Sequence, residues 1–224
     1  MDVSDMLAEI SDAGYGDVTT TRQVSYINDT LWDITYREKW PFREKNIGLL
    51  FDGTSDIPTN WPSDFSQAIW VYDTSLGDAV WPERVETIRD RYASNLLAST
   101  TQNNILFAYY FIGKQMHFFP TPVNDNGTSR YYMDYIAEQA TLTANSVEAD
   151  ILLPPAFHRA IVVGVLYKLA MLYDDTDIAP MYQAEYENKL MQMREELLRR
   201  QYQRPDQIFV TDESDEWDNT PFLP

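Results

Sequence analysis

The chain has 224 residues, no cysteine, 44% hydrophobic residues and a formal net charge of −18. These figures exclude disulfides and cysteine-ligated metals, and they exclude a wholly disordered chain. They also argue against a protein that grips phosphate, because nucleic-acid binders display basic surface. The length suits one large domain, or a core domain with an insertion.

The first residues, Met1-Asp2-Val3-Ser4-Asp5, are acidic and lack the basic-then-apolar layout of a signal peptide. No apolar run approaches the roughly 20 residues that cross a bilayer. The expectation is a soluble protein assembled in the cytoplasm, with no membrane partner. Its surplus is aromatic, with 15 Tyr, 10 Phe and 6 Trp, a bias common at protein–protein interfaces.

Val3, Met6, Leu7 and Ile10 mark a short first helix stopped by Gly14 and Gly16. Thr19-Thr20-Thr21 offers N-caps for a second helix, with Val24, Ile27, Leu31 and Ile34 on one face. That helix ends near Trp40, since Pro41 disfavours helical geometry in the residue before it. Trp40-Pro41-Phe42 then sets two large rings around a rigid corner, read as a structural plug of a helical bundle.

Beyond the corner the period changes. Residues 47–51 and 68–72 read as strands separated by a stretch rich in turn residues, among them Gly53, Pro58 and Pro62. Trp81-Pro82-Glu83 is expected to open a helix with Val85, Ile88, Tyr92 and Leu96 on one side. A hairpin follows, residues 105–112 returning through Gly113-Lys114 as 115–119, and residues 131–137 read as another strand. Leu152-Leu153-Pro154-Pro155 opens a helix apolar on almost every side, from Phe157 to Tyr173. Asp174-Asp175-Thr176-Asp177 interrupts it, and an amphipathic helix carries Tyr182, Tyr186, Leu190, Met193 and Leu197 along one face.

The reading is therefore α+β: a small mostly helical bundle with an inserted antiparallel β segment and a C-terminal extended tail. Residues 1–45 supply the N-terminal helices of the bundle, and 46–138 the β-rich insertion with one helix. Residues 139–203 supply the C-terminal helices, and 204–224 an acidic, aromatic tail. In that tail Ile208, Phe209, Val210, Trp217, Phe222 and Leu223 punctuate Asp206, Asp212, Glu213, Asp215, Glu216 and Asp218. Such a mixture suits a segment that orders on a partner, with a merely solvating tail as the plain alternative.

No catalytic pattern is legible. His117 and His158 are far apart and outside any metal-binding spacing, so each reads as a structural histidine. Asp174, Asp175 and Asp177 lack the spacing of a calcium loop. No Walker loop, nucleophile elbow or dinucleotide fingerprint is present, so no catalytic residue, metal or cofactor is assigned and no enzyme is expected.

The order of parts resembles the head–tail adaptor (connector) proteins of tailed bacteriophages. The resemblance spans roughly residues 3–203 and rests on a series of motifs. An amphipathic helix ends in Tyr36-Arg37-Glu38-Lys39-Trp40-Pro41-Phe42, and Trp81-Pro82-Glu83 follows a strand segment. An aromatic hairpin ends in Phe118-Phe119-Pro120-Thr121-Pro122, and Leu152-Leu153-Pro154-Pro155-Ala156-Phe157-His158 leads into the terminal helix pair. It implies a structural virion protein in the neck between capsid and tail, assembled in the host cytoplasm. It implies a dodecameric homo-oligomeric ring under the portal protein that extends the DNA channel and docks tail or neck proteins. DNA would pass through without specific binding, and the C-terminal tail would hold the portal. The acidity and the aromatic surplus agree with a non-gripping conduit built from heterologous contacts. The alternative is a cytoplasmic regulatory or scaffold-binding protein without enzymatic activity.

Overall fold

The structure is a computed structural model that describes residues 1–88 and 108–202, the last four by backbone only. Helix α1 (Val3–Ile10) starts on a reciprocal cap: the Asp2 carboxylate accepts the Asp5 N–H at 2.9 Å, and the Asp5 carboxylate accepts the Asp2 N–H at 3.1 Å. A wider turn, Ser11–Tyr15, ends it, with Gly14 at φ +102° making the reversal that a side chain would resist. Helix α2 (Thr20–Arg37) begins on the Thr19 carbonyl, which accepts the N–H groups of Arg22 and Gln23. Helix α3 (His158–Leu172) is buried on nearly all sides, and α4 (Ala179–Tyr202) turns Tyr186, Leu190 and Met193 inward.

These four helices share one apolar core with Ile27, Leu31, Ile34, Trp40, Leu142 and Leu153. Pro155–Leu172 is long and apolar enough, by length and composition, to cross a bilayer. Most of its apolar side chains instead fill this core, so burial explains the pattern. At the crossing of α2, α3 and α4 the backbone of Gly164 makes the close approach possible. A Cβ there would lie 2.5 Å from the Thr30 methyl and 2.9 Å from the Tyr186 ring.

Among the described residues, seven strands form two sheets. In the first, β1 (Glu44–Leu49), β7 (Tyr131–Ala137), β2 (Phe65–Asp73) and β3 (Asp78–Ala79) lie side by side in that order, all antiparallel. In the second, β4 (Trp81–Pro82), β5 (Ala108–Ile112) and β6 (Gln115–Phe119) follow one another. Burial along β7 alternates strictly: Tyr131, Met133, Tyr135 and Ala137 face inward and the residues between them outward. The inward set meets Leu49, Phe51, Val71, Met116 and Phe118 in a second apolar core. There the Phe51 ring stands edge-on to Phe118 and Tyr131, with centroids 5.1 and 5.9 Å away.

This corrects the expectation of a small mostly helical bundle. Beside the helices, the described strands build two sheets with a core of their own. The strands are longer than their apolar runs, since β1 begins directly after the corner at Glu44 and β2 includes the polar Ser66 and Gln67. Nor is the β segment wholly antiparallel. Trp81-Pro82 is not a helix start but an edge strand paired parallel with Ala108 and Tyr109, where proline's missing N–H is tolerated. Residues 85–88 are helical, while Tyr92, Leu96 and Ile105 lie outside the described residues, as does the expected extended tail.

Gly164→Ala is expected to cost about 1–3 kcal/mol through overpacking, and so to lower the melting temperature by several degrees. Thr30→Val should do the opposite or nothing. The Thr30 hydroxyl is buried with no hydrogen-bond partner among the described residues, so an isosteric methyl removes an unsatisfied group. Calorimetry of the two variants checks both directions.

Candidate functional site

Helix α2 leaves carbonyls without a helical partner at its C-terminal end, and the residues that follow it satisfy two of them. Trp40, extended before Pro41, swings back so that its indole N–H donates to Ile34 O at 2.6 Å. Pro41–Arg43 makes one 3₁₀ turn, and Arg43 donates Nη1–H to Thr35 O at 2.9 Å. The same guanidinium donates Nε–H to Ala137 O at 3.0 Å and lies 4.5 Å from the centre of the Tyr36 ring. Arg43 is only 7% exposed, so the one side chain ties the end of α2 to the end of β7. Trp40 is buried in the helical core, Phe42 is partly buried against it, and their rings stack at 5.9 Å.

Two further clamps lead the chain from the sheet back to the helices. Asn28 holds Leu142 by both backbone groups, accepting its N–H at 2.7 Å and donating to its carbonyl at 3.0 Å. Buried Gln139 accepts the Leu152 N–H at 2.7 Å and donates to Asp150 O at 2.9 Å. At the far end of the first sheet, Arg130 grips Asp73 through Nε and Nη2 at 2.6–3.0 Å. Burial pushes the Asp73 carboxyl up, but the hydrogen bonds from Arg130 and Ser75 outweigh it, and the net shift is down. Burial and a hydrogen bond to Asp33 push the Tyr186 phenol up, and the same two causes with Asp175 push Tyr15 up to about 12.

The histidines lie apart in different settings. His158 is buried with ring nitrogens 2.9 Å from Met1 O and 2.7 Å from Leu153 O. His117 stacks on Tyr110 and sits 3.0 Å from the Asp56 carboxylate, which also accepts the Tyr110 hydroxyl at 3.3 Å. This trio fixes the loop before β2 onto β6, where the Phe118 N–H also donates to Asp56 O. Among the described residues no three His, Cys, Asp or Glu side chains gather as a metal site.

What the surface offers instead is apolar area on firm supports. Exposed Trp70 and Trp81 meet edge to face at 5.7 Å across the two sheets, and Ile69, Phe111 and Ile112 on the strands are exposed as well. The turn between α3 and α4 exposes Met171, Leu172, Tyr173, Ile178 and Met181. On α2, Trp32 and Tyr36 stack at 4.4 Å, both about half exposed. Beside Tyr36 a cleft of about 700 Å³ runs from the corner to β2. The sequence reading singled out Trp40, Pro41 and Phe42 but missed Arg43 as the bridge. Ile208, Phe209, Val210, Trp217, Phe222 and Leu223 lie outside the described residues.

Side chains spent on clamping the backbone, beside several separate apolar faces, suit a structural protein that works through its surfaces. The sequence model of the SU10 adaptor protein matches residues 1–208, and the chain belongs to that family. No curated protein matches it. It is thus a phage structural adaptor, a virion component that associates with other head or tail parts, from a family that is typically non-enzymatic.

Arg43→Met is expected to destabilise the fold by about 3 kcal/mol, because it strands the carbonyls of Thr35 and Ala137. Arg43→Lys should rescue little, since one ammonium cannot reproduce the fork that spans both acceptors. Urea denaturation measures both. The depressed Asp73 carboxyl predicts a pH effect of definite sign. Folding holds the proton off to a lower pH than the unfolded chain does, so this stabilisation is complete above about pH 4 and fades as acid titrates the folded carboxylate. Asp73→Asn should therefore lower the melting temperature at pH 7 by more than at about pH 3.

Proposed function

We propose that this adaptor stands between head and tail: a homo-oligomeric ring, dodecameric by resemblance, seated under the portal protein in the neck of the virion. There it extends the DNA channel and offers the tail or neck proteins a docking surface. The observation that carries the reading is the family match over residues 1–208, joined to the separate apolar faces on the sheets and on the α3–α4 turn. A closed ring needs two unlike faces on each subunit, which meet across every contact. The sheet face around Trp70 and Trp81 and the helical face around Met171 and Met181 are two such faces. The net charge of −18 suits a wall past which DNA slides, because it offers phosphate no cationic grip. In this reading the Trp40-Pro41-Phe42 corner serves as a structural plug of the helical core. The segment carrying Ile208, Phe209, Val210, Trp217, Phe222 and Leu223 reaches the portal once the ring is in place.

Charge also sets the order of assembly. Subunits of net −18 repel one another, so the free protein should be monomeric at low salt and close into a ring on portal. Mass photometry of the protein alone, then with portal rings, tests this. The expected result is a monomer alone and a complex of fixed stoichiometry with portal. A protein that neither binds portal nor forms a ring at any salt concentration would refute the proposal.

A further inference from the structure

The cleft beside α2 has a defined build. Its floor is one cross-strand row, Glu44 on β1, Ile136 on β7 and Gln67 on β2. Its wall is residues 36–40, and Tyr36 and Ile69, both more than 40% exposed, are among the residues that line it. On a chain of net −18, three cations line this cleft against two carboxylates, Glu38 and Glu44. Arg37 is shared between Asp33 and Glu187, but Arg43 donates to carbonyls, which are neutral. Lys39 is exposed and has no ion-pair partner among the described residues. The cleft is thus an apolar-lined, cationic spot that suits an extended segment carrying acids and large rings.

The chain has such a segment, tethered close by. Helix α4 passes the corner, where Arg194 pairs with Glu38, and continues to Tyr202. Those eight residues carry the chain about 12 Å past the cleft, at 1.5 Å per residue. The 22 residues 203–224 follow. Extended chain covers about 3.3 Å per residue, so four or five of them suffice to return. Six acids accompany Phe209, Trp217 and Phe222 there, against the single cation Arg204.

We propose that in the free subunit this cleft holds the chain's own residues 204–224, the acids beside Lys39 and Arg43 and an aromatic side chain against Tyr36 and Ile69. The tether favours the chain's own segment over one from a second copy. A short linker supplies an effective concentration in the millimolar range, whereas copies of like charge repel. The inference concerns the free subunit and does not depend on the segment's later use at a portal.

The full-length protein tests it directly, because a chain without cysteine accepts one unique label. Ser214→Cys is tagged with benzophenone-maleimide, irradiated at low concentration and mapped by mass spectrometry. The expected products have single-chain mass, with cross-links to residues 36–44 and 66–69. Lys39→Glu, a change at an exposed position that leaves the core intact, should cut their yield about five-fold, and about 0.5 M salt should reduce it as well. Products of two-chain mass would make the occupant a second copy and overturn the proposal. Cross-links scattered over the surface, or unaffected by Lys39→Glu, would overturn it too. Failure to bind portal in the mass-photometry experiment would leave the cross-link pattern unaffected, so the two ideas fail separately.

Discussion

One buried guanidinium joins the two halves of the molecule. Helices and sheets each have an apolar core, and hydrophobic burial stabilises each core without specifying how they are placed relative to one another. Arg43 supplies that specification. Its planar fork donates at once to Thr35 in the last turn of α2 and to Ala137 at the end of β7, which fixes the direction in which the sheet leaves the helices. Burying a charge is costly unless its donors are satisfied, so the arrangement tolerates little displacement of either carbonyl. Trp40 and the turn at Pro41 hold Arg43 in place for this, and the bulk of the Trp40 ring anchors that turn in the helical core.

The other crossings between helices and sheets use the same device. Asn28 and Gln139 are short amides whose donors and acceptors take the backbone groups of the connecting segment, as a neighbouring strand would. They leave the connection between β7 and α3 ordered although it has little secondary structure. For an adaptor this matters, because binding surfaces that are already ordered lose less entropy when a partner arrives.

The parts visible in the sequence were those governed by neighbours along the chain. The helical spacing of Tyr186, Leu190 and Met193, the all-round apolar character of α3, the turn at Gly113-Lys114 and the stop imposed by Pro41 follow from local rules, and the structure has each of them. What escaped was long-range. Trp81-Pro82 reads as a helix start because proline suits a first turn, yet pairing with Ala108 and Tyr109 makes it a strand, and no local pattern announces that partner. The proportion of sheet was underestimated for a related reason: a half-exposed strand such as β2 carries the polar pair Ser66-Gln67 between Phe65 and its apolar run, so its first residues resemble a loop. The role of Arg43 could have been suspected only from its place just after a helix end with unpaired carbonyls. Nothing in the sequence names Ala137 as its second acceptor.

Several of the exposed aromatic side chains stand on paired strands or on a packed helix. Trp70 lies on β2, which pairs with β7 along most of its length, and Trp81 on β4, which is held by β5. Trp32 and Tyr36 stand one turn apart on α2, whose opposite face is fully buried. Large side chains with few rotatable bonds on rigid elements offer contact area at low entropic cost, the property that makes such residues dominate interfaces. Acidic residues are abundant elsewhere on the surface, and their mutual repulsion opposes indiscriminate association through the same aromatic faces. Attraction is thereby short-ranged and dependent on shape, while repulsion is long-ranged and indifferent to it. A subunit built this way associates where a partner matches its apolar faces closely enough to outweigh the charge, which is what ordered assembly of a virion requires.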